Sequence, residues 1–346
     1  MSLFPLYLLS IPYGWAVKAR ILFYTTGLLR TKRLPCPVIS VGNITVGGTG
    51  KTPLVMLLAR GLRERGITIA ILSRGYKRKQ SSDSLVSDGQ NLFLSPEAAG
   101  DEPYLMASVL KSVPTLVGKD RFMTGRIALE RFGVRGLLLD DGYQHLQLHR
   151  DLNILLIDSN IGFGNDHLLP RGILREPFYH LQRADFFVLT KVEEPKTCLS
   201  LERKLYQIHP RAQVFHSHYD PIGLISPKGE KEDLQALRGR KVLALSGIAN
   251  PHYFSSLLSR CGMEIGKEAV FPDHHFYTTD DLAYIEENAK EMDWVVTTEK
   301  DMLKLKSLGI RHLPMRALRI EMKIWEEEGF FKKIMHLFPE HEERRD

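Results

Sequence analysis

The sequence predicts an α/β fold with parallel sheets, and three observations predict it. Short apolar runs of strand length alternate with longer stretches of helical period along most of the chain. A glycine-rich loop lies between the first such run and the first such helix. A second alternation of the same kind begins near Lys241, after a stretch rich in Gly, Pro and charge. A single core rarely grows past about 250–300 residues. The 346 residues therefore divide into two domains.

The elements follow in order. Residues 37–41 read as a buried strand, and a helix runs from about Thr52 to Glu64, where Gly66 ends it. Residues 67–72 and 113–117 are strands, followed by a helix near residues 121–131. Gly136-Leu137-Leu138-Leu139 is an apolar run closed by Asp140 and Asp141. Residues 153–157 and 186–189 are two more strands. Residues 217–233 read as a linker. Beyond them come a strand at 241–245, helices at 252–260 and 280–290, and a strand at 294–297. A final helix near residues 325–337 has two candidate docking partners, one in each domain.

The N-terminus differs from the rest. Residues 1–17 carry no charged side chain, and Pro5, Pro12 and Gly14 interrupt their apolar run. A spanning helix needs about 20 apolar residues, and a signal peptide needs early basic residues and a cleavage site; neither pattern is met. Val17, Ile21, Tyr24 and Leu28 then recur at helical spacing among Lys18, Arg20 and Arg30. This pattern describes a helix lying in a membrane interface; the alternative is a terminal helix packed on the protein's own core.

With 43% hydrophobic and 25% charged residues, the composition is that of a folded protein rather than a disordered one. The net charge of +6 points to an anionic partner: nucleic acid, an acidic membrane or a phosphorylated substrate. No basic run with interleaved aromatics supports nucleic acid. Cys36, Cys198 and Cys261 lie far apart, and no pair has zinc or redox spacing. A reducing cytoplasm suits them.

Thr45-Val46-Gly47-Gly48-Thr49-Gly50-Lys51-Thr52 is a phosphate-binding loop of P-loop type. Glycines let backbone N–H groups curl around phosphate oxygens, and the helix N-terminus adds positive potential. Lys51 is placed for the β- and γ-phosphates, and the Thr52 hydroxyl for magnesium. The first position of the usual pattern is Thr45 rather than Gly. Asp140 and Asp141, at the end of a neighbouring apolar strand, suit the metal's outer shell. The first domain is thus P-loop NTPase-like, which says nucleotide and leaves the second substrate open.

Other constellations have two readings each. Asp101, in Gly100-Asp101-Glu102-Pro103, serves as a helix cap or as a general base. Phe271-Pro272-Asp273-His274-His275 carries adjacent histidines, which point opposite ways on an extended chain. A shared metal site is therefore not expected of them, while one of them suits proton transfer. Thr297-Thr298-Glu299-Lys300-Asp301 is a polar cluster at a strand end, where α/β sheets build clefts. Arg171, Arg175 and Glu176 lie in a loop where arginines suit phosphate and a carboxylate suits a metal.

Together these motifs resemble one family, the tetraacyldisaccharide 4'-kinases (lipid A 4'-kinases) of Gram-negative bacteria. The segments that carry the resemblance run from Ser40-Val41-Gly42-Asn43 through the phosphate loop to Pro53, and include Leu72-Ser73-Arg74-Gly75-Tyr76. Gly100-Asp101-Glu102-Pro103, Lys119-Asp120-Arg121 and Asp140-Asp141-Gly142-Tyr143-Gln144-His145 also match. So do Leu174-Arg175-Glu176-Pro177, Asp273-His274-His275 and Thr298-Glu299-Lys300-Asp301. The family's own loop resembles this one, Thr45 included. Tyr143 stands where the family more often has Phe, and His275 where the residue varies.

The resemblance implies a kinase on the cytoplasmic face of the bacterial inner membrane. It implies transfer of the γ-phosphate of ATP, with Mg2+, to the 4'-hydroxyl of a tetraacyldisaccharide 1-phosphate in lipid A biosynthesis. The implied partners are that lipid and the membrane surface, with no nucleic acid. The implied fold is two α/β/α domains with the site between them. In this sequence that means an N-terminal membrane-interface helix (1–33), a P-loop kinase domain (34–220) and a smaller α/β domain (221–346). Asp101 and His274 match the proton-abstracting pair. Thr45 through Thr52 match the ATP loop. Thr52, Asp140, Asp141, Gln144 and Glu176 match positions near the metal, and Asn43, Arg74, Arg121, His145 and Arg175 match substrate-binding positions. The rival reading is a P-loop GTPase or metal-insertion chaperone, with Thr190-Lys191 as a guanine-reading loop. Glu193 stands where that loop needs Asp.

Overall fold

The computed structural model describes residues 4–76, 78, 83–310 and 313–339. In chain order the elements begin with α1 (Phe4–Thr25), β1 (Val38–Gly42), α2 (Lys51–Glu64), β2 (Ile69–Ser73) and β3 (Ser84–Ser87). Next come α3 (Pro96–Ala99), α4 (Asp101–Val109), β4 (Thr115–Val117), α5 (Arg121–Phe132), β5 (Gly136–Asp140) and β6 (Leu152–Asp158). These are followed by β7 (Phe186–Thr190), α6 (Leu199–Ile208), β8 (Gln213–Ile225), β9 (Lys231–Glu232), β10 (Lys241–Ser246) and α7 (Pro251–Arg260). The chain finishes with β11 (Glu264–Val270), α8 (Thr279–Ala289), β12 (Trp294–Thr298), α9 (Glu299–Leu305), β13 (Met315–Ile324) and α10 (Glu327–Met335).

The chain forms two compact units. The first holds Met1–Leu94, Met106–His218 and Met322–Asp346; the second holds Ser95–Leu105 and Tyr219–Glu321. The boundaries drawn from composition leave Asp101 with the phosphate loop, whereas its segment folds with the second unit.

In the first unit the strand order is β3-β4-β2-β5-β1-β6-β7-β8, parallel throughout except for β3. Strands β1, β2, β5, β6 and β7 are buried along their whole length. This explains their continuous Val, Ile and Leu runs, since helices cover both faces of a parallel sheet. Val38, Leu72, Leu116 and Leu137 pack with Phe122 and Leu129 of α5. Leu155, Ile157, Phe187 and Leu189 pack on another cluster with Leu205 of α6. Helix α2 buries Leu54, Val55, Leu58, Ala59 and Leu62, one apolar stripe of 3.6-residue period.

The final helix docks on the first unit. Phe331 lies against Gly61, where an added Cβ would meet the ring at 2.1 Å. Phe330 contacts Phe186 and Phe215. A side chain at position 61 would displace α10, so glycine is required there.

In the second unit β11-β10-β12-β13 run parallel. Leu243, Leu245, Ile285, Val295 and Met302 form its core. The stretch expected as a linker is largely strand: β8 continues to Ile225 and β9 pairs back on it. Its polar residues are not all exposed. Ser217 is fully buried, and its hydroxyl donates to Leu189 O at 3.2 Å.

Helix α1 begins at Phe4 and runs through Pro12 and Gly14, which the sequence suggested would interrupt it. Proline removes one backbone donor, a local loss that the rest of a long helix tolerates. One side is pinned: Ser10 Oγ donates to Leu168 O at 3.1 Å and Tyr13 OH to Arg175 O at 2.8 Å. Leu8, Leu9, Trp15 and Leu22 stay exposed. Among the described residues, no helix is long and apolar enough to cross a membrane.

Candidate active site

The phosphate loop leaves β1 and ends at α2. Gly47 and Gly50 have φ of +109° and +91°, in the left-handed region that side chains disfavour. These values turn the loop so that α2 opens at Lys51. Neighbouring segments fix it from outside. Val46 N donates to Ile173 O at 2.8 Å, and Arg175 N donates to Ile44 O. Thr190 Oγ1, at the end of β7, donates to Thr49 O at 3.1 Å. One loop carbonyl, Thr49 O, is thus engaged by protein, and the N–H groups of a helix start suit an anion.

Asp140 ends β5 fully buried and accepts from Ser73 Oγ at 2.9 Å. Asp141 follows at φ +51°. Its carboxylate lies 3.6 Å from Lys51 Nζ and 3.4 Å from Arg175 Nη1. Desolvation pushes this carboxyl up, but the Lys51 and Arg175 charges outweigh it and hold the group below the usual range. Lys51, Asp141 and Arg175 therefore form one charged chain beside the loop.

Gln144 Nε2 donates to Asn43 O at 2.9 Å. The Asn43 side chain is fully buried, and neither of its amide atoms has a hydrogen-bond partner among the described residues. A buried amide without partners is costly. Arg121 opens α5, whose first N–H groups are capped by Asp120. Its guanidinium is buried. Burial lowers its pKa, Asp140 counteracts, and Arg74 adds to the lowering. His145 is pushed down to about 4 by burial, then by the Arg121 and Arg150 charges. Arg74 follows β2 and is exposed.

Glu176 is buried and tightly held. His180 Nδ1 lies 2.8 Å from its Oε2, and Arg183 pairs with the same oxygen. Burial would raise this carboxyl, yet the His180 bond and Arg183 charge hold it below its ordinary value. The oxygen expected near a metal is thus already shared by two protein cations or donors. Arg183 also lies over the Tyr143 ring, 4.4 Å from its centre.

The second unit holds the other candidate pair. Asp101 is the first residue of α4, after Gly100 at φ +92°. His274 follows β11 and adopts φ +59°. Its Nδ1 lies 3.4 Å from Asp101 Oδ2. His275 turns elsewhere, to Asp281 at 2.9 Å and onto the Phe271 ring. Adjacent histidines do take different directions here, as the sequence suggested. Asp101 is thus both the first residue of α4 and the partner of His274.

Sequence reasoning passed over several residues. Asp158 and Lys191, at the ends of β6 and β7, form a buried ion pair, and Lys191 Nζ lies 3.5 Å from Gly48 O. The strand-end rule that found Asp140 applies to Asp158 too. Lys191, offered by the rival reading as part of a guanine-reading loop, faces Asp158 and Gly48 O. Lys304 Nζ sits 2.8 Å from Asp101 Oδ2. The signal for it is its place one turn after Lys300 on α9.

A family model described as tetraacyldisaccharide-1-P 4'-kinase (LpxK) matches residues 2–338. The chain belongs to this family. It is 43% identical to the tetraacyldisaccharide 4'-kinase of Syntrophus aciditrophicus, over 95% of this chain and 91% of that protein. It is 42% identical to that of Geobacter sulfurreducens, over 91% and 88%. A crystal structure of Aquifex aeolicus LpxK, described as an "apo" form in complex with ATP, superposes with a TM-score of 0.76. Identity there is 36%, covering 96% of this chain and 98% of that one. The family match spans the residues of both units.

Proposed function

We propose that the chain transfers the γ-phosphate of ATP to the 4'-hydroxyl of a tetraacyldisaccharide 1-phosphate, a lipid A precursor. The Asp101–His274 contact carries this reading. A phosphate loop alone accounts for nucleotide binding, whereas a carboxylate backed by a histidine serves an acceptor hydroxyl. The family membership supports the same substrate class.

In this mechanism Lys51 and the loop N–H groups hold the β- and γ-phosphates. Arg175, tied to Asp141, and buried Arg121 face the charge that builds on the transferring group. Asp101 accepts the proton of the 4'-hydroxyl as the new O–P bond forms and the γ-phosphate separates from ADP. Asn43, Arg74 and His145 bind the disaccharide phosphate and sugar. Glu176, held by His180 and Arg183, fixes the segment that bears Arg175.

The donor set fits Mg2+. Thr52, Asp140 and Asp141 offer only oxygen ligands, which a hard cation prefers, and nucleotide-bound magnesium needs few protein ligands. Thr52 and one of the two aspartates would hold it, with Gln144 nearby. When bound, it neutralises phosphate charge.

The exposed apolar side of α1 suits the surface of the bilayer that carries the lipid, on its cytoplasmic face. The test is direct: purified protein, radiolabelled ATP and tetraacyldisaccharide 1-phosphate, resolved by thin-layer chromatography. Label in the lipid is the expected result. ATP hydrolysis without labelled lipid would overturn the reading.

A further inference from the structure

Two lysines of α9 approach the Asp101–His274 pair from one helix face. Lys300 Nζ lies 3.3 Å from His274 Nε2. Lys304 Nζ lies 2.8 Å from Asp101 Oδ2 and donates to His275 O at 3.1 Å. An ammonium has three donors and no acceptor. A nitrogen facing it at hydrogen-bond distance must offer a lone pair. In the opposite tautomer, an Nε2–H would point at Lys300 while a bare Nδ1 faced a carboxylate oxygen. Glu102 Oε1 and Asp273 Oδ2 lie farther from Nε2, at 4.0 and 3.9 Å, than Lys300 does.

We infer that Lys300 is a positioning residue that fixes His274 in the tautomer protonated at Nδ1. His274 and Lys304 then both donate to Asp101 Oδ2, and Asp101 Oδ1 is presented to the acceptor hydroxyl. The catalytic consequence rests on the proposed function; the tautomer itself does not. The charge balance agrees. Burial pushes the Asp101 carboxyl up, but the bonds from His274 and Lys304, with the Lys300 charge, bring it below its ordinary value. The base is thus ionised and ready. Lys300 is also 3.4 Å from Asp273 Oδ1, which steadies the ammonium in place.

The experiment uses the full chain with 15N-labelled histidine. Long-range 1H–15N spectra separate the two neutral tautomers, and the His274→Asn variant identifies the His274 signal by its loss. The wild type is expected to show Nδ1–H. Lys300→Ala is expected to move His274 toward Nε2–H. It should also lower kcat at least about ten-fold, part of the roughly 10²- to 10⁴-fold that general-base help supplies. The KM for ATP should stay within about two-fold, since ground-state binding of the nucleotide is untouched. Lys300→Arg keeps a donor without an acceptor, and should retain the wild-type signal and most of kcat. An Nε2–H wild type overturns the proposal, as does a His274 signal unchanged in Lys300→Ala. A changed signal with intact kcat overturns the catalytic role, and so does a Lys300→Arg variant as slow as Lys300→Ala. If the wild type transfers no phosphate, the proposed function fails, and the nitrogen signals still decide the tautomer.

Discussion

Lys191 and Asp158 form a buried ion pair beside the phosphate loop, and the same ammonium lies 3.5 Å from Gly48 O. Their side chains are only 5% and 3% exposed. Asp158 Oδ1 also accepts from Asn160 N at 3.0 Å. The pair therefore joins the ends of β6 and β7 to the loop's carbonyl side. Removing one partner leaves the other charge buried without compensation, which typically costs about 3–5 kcal/mol. Lys191→Met should lower stability by that order and weaken ATP binding. Pairing it with Asp158→Leu should recover much of the stability, because no lone charge remains. Denaturant unfolding of the three variants checks this. A Lys191→Met protein as stable as the wild type would refute it.

Lys51 is the cation of the loop itself. Its side chain is 13% exposed and faces Asp141 across 3.6 Å. Lys51→Ala should cut phosphoryl transfer by at least about 10²- to 10³-fold, the loss usual for one preorganised charge-stabilising donor. Arg175 still pairs with Asp141, so the fold should survive. Circular dichroism and the labelled-lipid assay measure the two effects separately. Wild-type turnover in the folded variant would remove the P-loop role.

His145 gives a pH signature. Its folded value of about 4 lies below the ordinary 6.5, through burial and then the Arg121 and Arg150 charges. Between those two values the unfolded chain binds a proton that the native chain does not. Stability therefore rises with pH through this window. The contribution is fully present above about pH 6.5 and lost as pH falls toward 4, with an upper size of about 3 kcal/mol. His145→Gln should flatten that part of the stability profile relative to wild type. Parallel profiles for the two proteins would show that His145 titrates normally.

What the sequence disclosed was mostly local. The phosphate loop, Asp140 and Asp141 are read from a few consecutive residues at strand ends, and β1, β5, β6 and β7 from unbroken apolar runs. What it hid depends on contacts between distant segments. Nothing near Asp101 says that Ser95–Leu105 folds with the second unit, or that Lys304 will reach its carboxylate. Nothing near Trp325 says that α10 returns to Gly61. Residues 217–233 failed for another reason: their polar residues signal exposure, yet Ser217 is buried by hydrogen bonding to β7. Glu176 shows the limit of motif matching. Its neighbours His180 and Arg183 were in plain view, at helical spacing, but only the fold shows that they converge on Oε2.

The Asp101–His274 pair predicts non-additive kinetics. A sugar hydroxyl is a poor nucleophile, and a carboxylate that takes its proton is typically worth about 10²- to 10⁴-fold. Asp101→Ala and His274→Ala should each depress kcat while leaving ATP affinity nearly intact, since the phosphate loop belongs to the other unit. The double variant should be little slower than the slower single, because residues acting as a unit do not add. Fully multiplicative losses would mean that the two act independently. A large loss of ATP binding in Asp101→Ala would make Asp101 structural instead.

Helix α1 predicts how the chain meets its lipid. Deleting it is a poor test, because Tyr13 OH holds Arg175 O and Ser10 holds Leu168 O. Truncation would disturb the segment that bears Arg175 as well as any membrane contact. The exposed side separates the two effects. Leu9 and Trp15 are 58% and 69% exposed, so replacing them leaves the pinned side intact. Leu9→Glu with Trp15→Glu removes apolar area and adds two anions, both unfavourable at an anionic bilayer. The double variant should unfold at the wild-type temperature and hydrolyse or bind ATP as before. It should float less with vesicles containing anionic lipid, and its KM for the lipid substrate should rise more than its kcat falls. Equal flotation of the variant and the wild type would mean that this face of α1 does not contact the membrane.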